Sequence, residues 1–94
     1  MKEKYTVFDA ADYLTSEKDI QAFLDACFEG GDQEHITRAL GAIARARGMS
    51  RIAKKTGISR EGLYKALSGQ GNPEFSTVLR VLDALGFRLQ AVAR

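Results

Sequence analysis

Apolar residues recur at intervals of three and four along three stretches of this chain, and this spacing predicts three amphipathic helices. Ser16 and Asp19 resemble a capping box at the start of the first helix, and Asp32 caps the second. The glycines that end the three helices are Gly30 with Gly31, Gly48 and Gly86. The residues that give the helices a core face are Ile20, Phe23, Leu24, Phe28, Ile36, Leu40, Ile43, Ala44, Phe75, Val78, Leu79, Leu82 and Leu85.

Two shorter helices, joined by a tight turn, are predicted between the second and third stretches. Their predicted spans are 51–56 after the cap Ser50 and 60–67 after the cap Ser59. Ala53 is small enough for close packing, Gly57 supplies the positive φ that ends the first helix, and Leu63 buries the inner face of the second. Such a pair presents its second helix outward, as a rod that fits the major groove of B-DNA.

The two ends of the chain carry weaker patterns. Residues 87–92, FRLQAV, alternate apolar and polar and predict one half-buried strand, whereas 4–8 are typical of a short strand or an extended docking segment. Asp9 can cap a short helix that runs to Leu14. A lone strand needs a partner, either 4–8 or the same strand of a second copy across a two-fold axis. We favour the second copy, because the two groove-entering helices of a DNA-binding dimer lie about 34 Å apart. The predicted fold is all-α, with five to six helices and a short C-terminal strand used in dimerisation.

Charge is divided unevenly along the chain. Residues 1–37 contain nine acidic and three basic residues, a net charge of −6, whereas residues 38–94 contain eleven basic and three acidic residues, a net charge of +8. The basic part is attracted to phosphates, and the acidic part either faces away from nucleic acid or meets a basic partner. We therefore divide the chain into an acidic N-terminal helical segment, 1–31, packed on the core or binding a partner, and a helix-turn-helix domain with the C-terminal strand, 32–94.

Length and composition are those of one small globular domain: 94 residues, 45% hydrophobic and 28% charged. No apolar run approaches the roughly 20 residues that span a bilayer, and the first residues lack the apolar centre of an export signal. The single cysteine, Cys27, cannot form an internal disulfide and fits a reducing compartment. We expect a cytoplasmic protein that makes no membrane contact.

The outward positions of the second short helix are candidates for contact with DNA bases or the groove. Arg60 is able to donate to guanine O6 and N7, Glu61 to accept from a cytosine amino group, and Tyr64 to stack or to bind a phosphate. The full set is Ser59, Arg60, Glu61, Tyr64 and Lys65. The alternative is that Arg60 and Glu61 are solvated charges and that Tyr64 is partly buried.

Phosphate contacts require donors at the edges of the groove. Ser50 and Arg51 open the first short helix, whose N-terminal amides attract a phosphate. Gln70, Gly71 and Asn72 lie in the loop after the second, where amide and backbone donors reach the sugar-phosphate chain.

Catalytic and metal-binding patterns are weak. His35 is the only histidine and has no second ligand at metal-binding spacing, and the default for Cys27 is a small buried hydrophobic residue. No Ser-His-acid or Cys-His arrangement can be built, and Gly69 and Gly71 lack the preceding strand and the lysine of a phosphate loop. We expect no enzyme, no cofactor and no metal.

The stretch GAIARARGMSRIAKKTGISREGLYKALSGQGNPEFSTVLRVLDALGFRL resembles the small helix-turn-helix antidote proteins of toxin–antitoxin (addiction) modules. These proteins form a branch of the lambda-repressor-like, or Cro/C1-type, DNA-binding class. The motif ISREGLYKALSG-x-GNP with the following LxALG carries the likeness, which extends upstream through DAADYL and the helix after Ser16.

The resemblance implies an antitoxin of a type II module that neutralises a RelE/HigB-type toxin and represses its own operator as a homodimer. It places Ser59, Arg60, Glu61, Tyr64 and Lys65 on the helix that reads bases, with Asn72 in the loop beside the backbone. Because a toxin that handles RNA is expected to be basic, the acidic segment Tyr5 to Phe28 is our candidate for toxin contact. Two alternatives are a prophage or plasmid regulator of the same class without a toxin partner, and a protein-binding adaptor that does not bind DNA.

Overall fold

The computed structural model describes residues 14–94, and five α-helices account for the regular structure of that part of the chain. The helices are α1 (Glu17–Gly30), α2 (Gln33–Arg47), α3 (Met49–Thr56), α4 (Arg60–Ala66) and α5 (Phe75–Ala84). The predicted strand at 4–8 and most of the predicted helix from Asp9 to Leu14 lie outside the described residues.

The caps explain where the first two helices begin. The Ser16 hydroxyl accepts a hydrogen bond from the Asp19 amide at 3.1 Å, and the Asp32 carboxylate accepts one from the His35 amide at 3.3 Å. Each bond satisfies one of the amide groups that a helix leaves unpaired at its start. The predicted starts of α1 and α2 are therefore confirmed.

One core unites all five helices. α1 packs on α2, α2 packs on α3 and α5, and α3 packs on both α4 and α5. The large side chains at the centre, all under 2% exposed, are Ile20, Leu40, Ile43, Ile52, Leu63 and Val81. The two helices that carry the candidate site, α3 and α4, thus contribute Ile52 and Leu63 to the same core as the rest of the domain.

The predicted start of α3 is wrong by two residues. Ser50 lies inside the helix, and the cap position is occupied by Gly48, which has φ 103. The Gly48 carbonyl accepts hydrogen bonds from the amides of Arg51 and Ile52, both at 3.1 Å. Because a positive φ is accessible to glycine at little cost, one residue both ends α2 and begins α3.

The predicted C-terminal strand is also wrong. Residues 87–94 have no regular secondary structure, and Leu89 and Val92 are 42% and 78% exposed. A strand forms only where a second strand satisfies its backbone groups, and no strand occurs between residues 14 and 94. The alternating pattern alone does not supply that partner.

Three predicted core positions, Phe28, Phe75 and Leu79, face solvent instead. Phe28 is 37% exposed, whereas Cys27, one residue earlier, is 4% exposed and completes the inward face of α1 with Ile20 and Leu24. Phe75 and Leu79, one turn apart on α5, are 65% and 41% exposed. The buried face of α5 is formed by Val81 and Leu82.

Candidate nucleic-acid interface

A short turn fixes the angle between α3 and α4. Gly57 has φ 77, and its amide donates to the Ala53 carbonyl at 2.9 Å, so α3 ends there without a Cβ clash. The Thr56 hydroxyl donates to the Ile52 carbonyl at 2.9 Å and accepts from the Ile58 amide at 3.2 Å. This buried hydroxyl joins the last turn of α3 to the residue before α4, a role that the sequence pattern did not indicate.

Burial of one face of α4 determines which side chains point outward. Ser59 has an extended backbone and its hydroxyl accepts from the Gly62 amide at 3.0 Å, which caps the helix. Leu63 is 0% exposed, and Leu67, just past the last helical residue, is 4% exposed. Since these two apolar residues hold the inner face against α3 and α2, the opposite face is turned to solvent.

The outward face of α4 is exposed and carries two positive charges and one negative charge. Arg60, Glu61, Tyr64 and Lys65 are all exposed, and the Tyr64 side chain is 45% accessible. The Arg60 guanidinium lies 5.9 Å from the centre of the Tyr64 ring, within the range of a cation–π contact. The structure thus brings Arg60 and Tyr64 together on one accessible surface, which we call the α4 surface: Ser59, Arg60, Glu61, Tyr64 and Lys65.

The beginning of α3 lies beside the α4 surface. Met49, the first residue of α3, lines the same shallow depression as Tyr64. Ser50 and Arg51 follow Met49, both are exposed, and the first turn of α3 contains no acidic residue. A phosphate at this edge meets the partial positive charge of the helix start with no carboxylate in that turn to repel it.

The loop after α4 is exposed and internally bonded. The Ser68 hydroxyl accepts from the Gln70 amide at 3.2 Å, and both Gln70 and Gly71 are exposed. The Asn72 side-chain oxygen accepts from the Gln33 side-chain amide at 2.7 Å, which ties the loop to the first residue of α2. In a phosphate contact by Asn72, the side-chain NH₂ group would therefore be the hydrogen-bond donor.

Two arginines of α2 also border the α4 surface, and sequence reasoning did not select them. Arg38 and Arg45 line the depression of about 390 Å³ that also contains Tyr64 and Ser68. They are seven residues apart, so they lie on one face of α2. The seven-residue spacing of the two arginines, with Gly41 between them, could have indicated from the sequence that they share one face of α2.

Gly41 explains why α2 and the end of α4 approach so closely. A Cβ at this position would lie 2.8 Å from the Leu67 carbonyl oxygen. Any larger residue would therefore separate the two elements. The close contact brings the arginine face of α2 next to the α4 surface.

The other titratable residues of the described chain do not form a metal site. No group of three or more histidine, cysteine or acidic residues in 14–94 is arranged to hold a metal ion. Burial of Cys27 raises the pKa of its thiol above the usual value, because a thiolate loses hydration there. Among the helices of 14–94, none has the length and apolar character needed to span a bilayer.

Over residues 14–94, the fold and the site define a small helical domain that turns one short, basic helix to solvent. The chain belongs to the family of proteins described as "Probable addiction module antidote protein", whose family model matches residues 4–93. Since an antidote acts against a toxin, membership in this family implies a toxin as partner.

A relative in Haemophilus influenzae (strain Rd) is 54% identical over 90 residues, which cover 96% of this chain and 93% of that protein. It is described only as an uncharacterized protein. No solved structure matches the chain significantly.

Proposed function

We propose that this protein is the antitoxin of a type II toxin–antitoxin module, which neutralises a RelE/HigB-type toxin and binds its own operator as a repressor. In this proposal the domain is of the lambda-repressor-like, Cro/C1-type class, acts in the cytoplasm as a homodimer, and has no catalytic activity. The observation that carries the DNA-binding part is the exposure of the α4 surface. It lies on the side of α4 opposite to Leu63, which is fully buried and holds the helix against the core.

The electrostatics of the domain favour DNA as the partner of the α4 surface. Lys65 and Arg60 lie on that surface, Arg51 lies at the start of α3, and residues 38–94 carry a net charge of +8. Such a surface gains affinity from phosphates by releasing their counterions. The four acidic residues of α1 are Glu17, Asp19, Asp25 and Glu29, and all are exposed. Because α1 packs on α2, it does not compete for the face of α4.

Within the α4 surface, Arg60 and Glu61 have the chemistry that discriminates base pairs. Both occupy the first turn of α4, the part of such a helix that reaches base edges. Arg60 donates two hydrogen bonds to guanine, and Glu61 accepts one from cytosine, so together they favour a G·C-containing half-site. Tyr64 and Lys65, one turn later, serve the phosphates or sugars that border the groove.

Binding of the chain to the DNA upstream of its gene, measured by fluorescence anisotropy across a range of salt concentrations, tests the DNA-binding part. We expect affinity to fall steeply with salt, and Arg60→Ala to lose about 1–3 kcal/mol with relaxed discrimination at one base pair. Arg88→Ala is the matched control, because Arg88 is exposed in the C-terminal segment. Absence of salt-dependent binding would instead favour an adaptor that does not bind DNA.

The described part of the acidic segment, α1, has the surface that a basic toxin requires. Asp25 and Glu29 lie one turn apart and are exposed, with Phe28 beside them. These three residues line one side of a groove of about 880 Å³, and Phe87, Leu89 and Val92 line it from the C-terminal segment. Gln21, Arg88, Gln90 and Arg94 also line this groove, so its lining mixes apolar and polar residues. The carboxylates lie on the α1 side, and this side is the one that suits a basic protein.

Co-purification with the product of the adjoining gene tests the toxin part. We expect the double variant Asp25→Lys with Glu29→Lys to weaken the complex, and deletion of residues 1–14 to weaken it further. Glu74→Lys is a single-charge control outside α1, since Glu74 is exposed just before α5. A complex unaffected by both changes removes α1 as the contact surface, and operator binding with no copurifying toxin favours the prophage or plasmid regulator.

The homodimer is proposed from the two-fold symmetry of operators, without the pairing of residues 87–92 that the sequence pattern predicted. Two copies engage two half-sites and double the number of phosphate contacts. Sedimentation analysis of the free chain and of the chain on its upstream DNA measures the stoichiometry. We expect two chains for each bound duplex; one chain for each duplex contradicts the dimer.

A further inference from the structure

We propose that the depression between α2 and α4 is a phosphate-binding site, with Arg38 of α2 as its principal ligand. The inference rests on the proposed function and adds a contact on a helix outside the α3–α4 pair. The depression has a volume of about 390 Å³ and is open to solvent between Arg38 and Arg45 on one side and Tyr64 and Ser68 on the other. The phosphate is that of the DNA strand bordering the groove that α4 enters.

The Arg38 side chain lies against the backbone of the loop that follows α4. Its side chain lies over Gly69, where a Cβ would collide with the Arg38 side chain, and Gly69 is buried with φ 89. Only glycine fits both the backbone conformation and the close approach. The arginine stem thus packs on the loop that follows α4, which holds the guanidinium beside the α4 surface and reduces the side-chain entropy lost on binding.

The present partner of Arg38 is easily exchanged. Its guanidinium lies 2.9 Å from the Glu34 carboxylate, one helical turn away, and both side chains are more than half exposed. Such solvated pairs contribute little to stability, so a phosphate displaces the carboxylate at small cost. A guanidinium matches the two free oxygens of a phosphodiester with two parallel N–H donors.

The opposite wall supplies a second donor. The Ser68 hydroxyl oxygen already accepts from the Gln70 amide, at 3.2 Å, which leaves its O–H hydrogen to donate toward the depression. Met49 and Leu67 are buried and contribute the apolar part of the lining. A small anion with several acceptor oxygens satisfies this combination of donors.

Arg47 provides a matched control on the same helix. Like Arg38, it lies near a glutamate, with 3.5 Å between its guanidinium and the Glu17 carboxylate, but it does not line the depression. Arg38→Gln and Arg47→Gln therefore remove the same charge from α2, and each removes an ion pair with a glutamate. Only the first removes the proposed phosphate ligand.

The test measures affinity for the upstream duplex and for an unrelated duplex of equal length, each over a series of salt concentrations. We expect Arg38→Gln to weaken both by a similar factor of about ten and to reduce the salt slope by about one. Arg38→Lys retains the charge, so it should keep the slope while recovering only part of the affinity. Glu34→Gln should strengthen binding, because it removes the competing carboxylate. Thermal unfolding of each variant verifies that it is folded.

The possible results separate this inference from the proposed function. If the natural chain binds DNA and Arg38→Gln behaves like Arg47→Gln, the phosphate site is wrong while the proposed function stands. If the natural chain shows no salt-dependent DNA affinity, both are wrong. If Arg38→Gln weakens only the complex with the toxin, the depression binds protein instead, and the phosphate site is again overturned.

Discussion

Replacement of Gly41 by alanine tests the close approach that places α2 beside the α4 surface. Gly41 is a buried residue in the middle of α2, where alanine has the higher intrinsic helix propensity. On propensity alone, Gly41→Ala would stabilise the domain by about 1 kcal/mol. The structure predicts instead that Gly41→Ala lowers the free energy of unfolding.

The size of the change in the free energy of unfolding follows from one distance. The new Cβ would lie 2.8 Å from the Leu67 carbonyl oxygen, against 3.4 Å for the shortest ordinary contact, so the two backbones must separate by about 0.6 Å. Overpacking of this kind costs about 1–3 kcal/mol, because backbone atoms cannot rotate away as a side chain does. After subtraction of the propensity gain, we expect the free energy of unfolding to fall by about 1 kcal/mol.

Urea denaturation followed by far-ultraviolet circular dichroism measures this change, with Gly30→Ala as the matched control. Gly30 is also helical, but a Cβ there meets nothing within 4 Å, so the same substitution should be neutral or stabilising. The difference between the two variants isolates the packing contribution. If Gly41→Ala proves as stable as Gly30→Ala, the reasoning from the α2–α4 contact is refuted.

Three further predictions concern the burial of Leu63, the cap at Ser59 and the burial of Cys27. Leu63→Ala should lower the free energy of unfolding by about 3 kcal/mol in urea, because it removes a fully buried side chain; a loss below 1 kcal/mol would mean that α4 is not held by the core. Ser59→Ala should cost about 1 kcal/mol through loss of the bond to the Gly62 amide, and Ser59→Asp should restore most of it, whereas equal stability of all three would contradict the cap. Cys27 should react with a thiol reagent more slowly in the folded chain than in urea, and its rate should rise at higher pH, because burial raises the pKa of the thiol and lowers the fraction present as thiolate at a given pH; equal rates in both states would contradict its burial.

The helices and their caps follow from local chemistry, which is why the sequence predicted them. Ser16, Asp32 and Ser59 each accept a hydrogen bond from an amide three residues later, an arrangement contained within one turn. The error at Ser50 arose because Gly48 adopts a backbone conformation that closes one helix and opens another, and side-chain pattern does not reveal φ. The exposure of Phe28 reflects the rotation of α1 on α2, which only packing determines, whereas the burial of Cys27 was expected from the sequence.

Features that depend on elements far apart in sequence were not predictable in the same way. Arg38 and Ser68 are thirty residues apart in number, and they border one depression because Gly41 and Gly69 allow close contacts between α2 and the end of α4. The alternating pattern of 87–92 predicted a half-buried strand, but a strand requires a second strand, and the pattern alone does not provide one. The residue types of the α4 surface could be predicted from the sequence. The position of Arg38 and Arg45 beside that surface could be found only from the fold.

An NMR titration of the ¹⁵N-labelled chain with the duplex from upstream of its own gene tests the central claim most directly, since it reports contact residue by residue in solution. We predict that the largest amide shifts fall on Ser59, Arg60, Glu61, Tyr64 and Lys65, with smaller shifts at the start of α3 and in the loop 70–72. Shifts confined to α1 or to residues 87–94, or no shifts at all at low salt, would contradict the assignment of α4 as the helix that enters DNA.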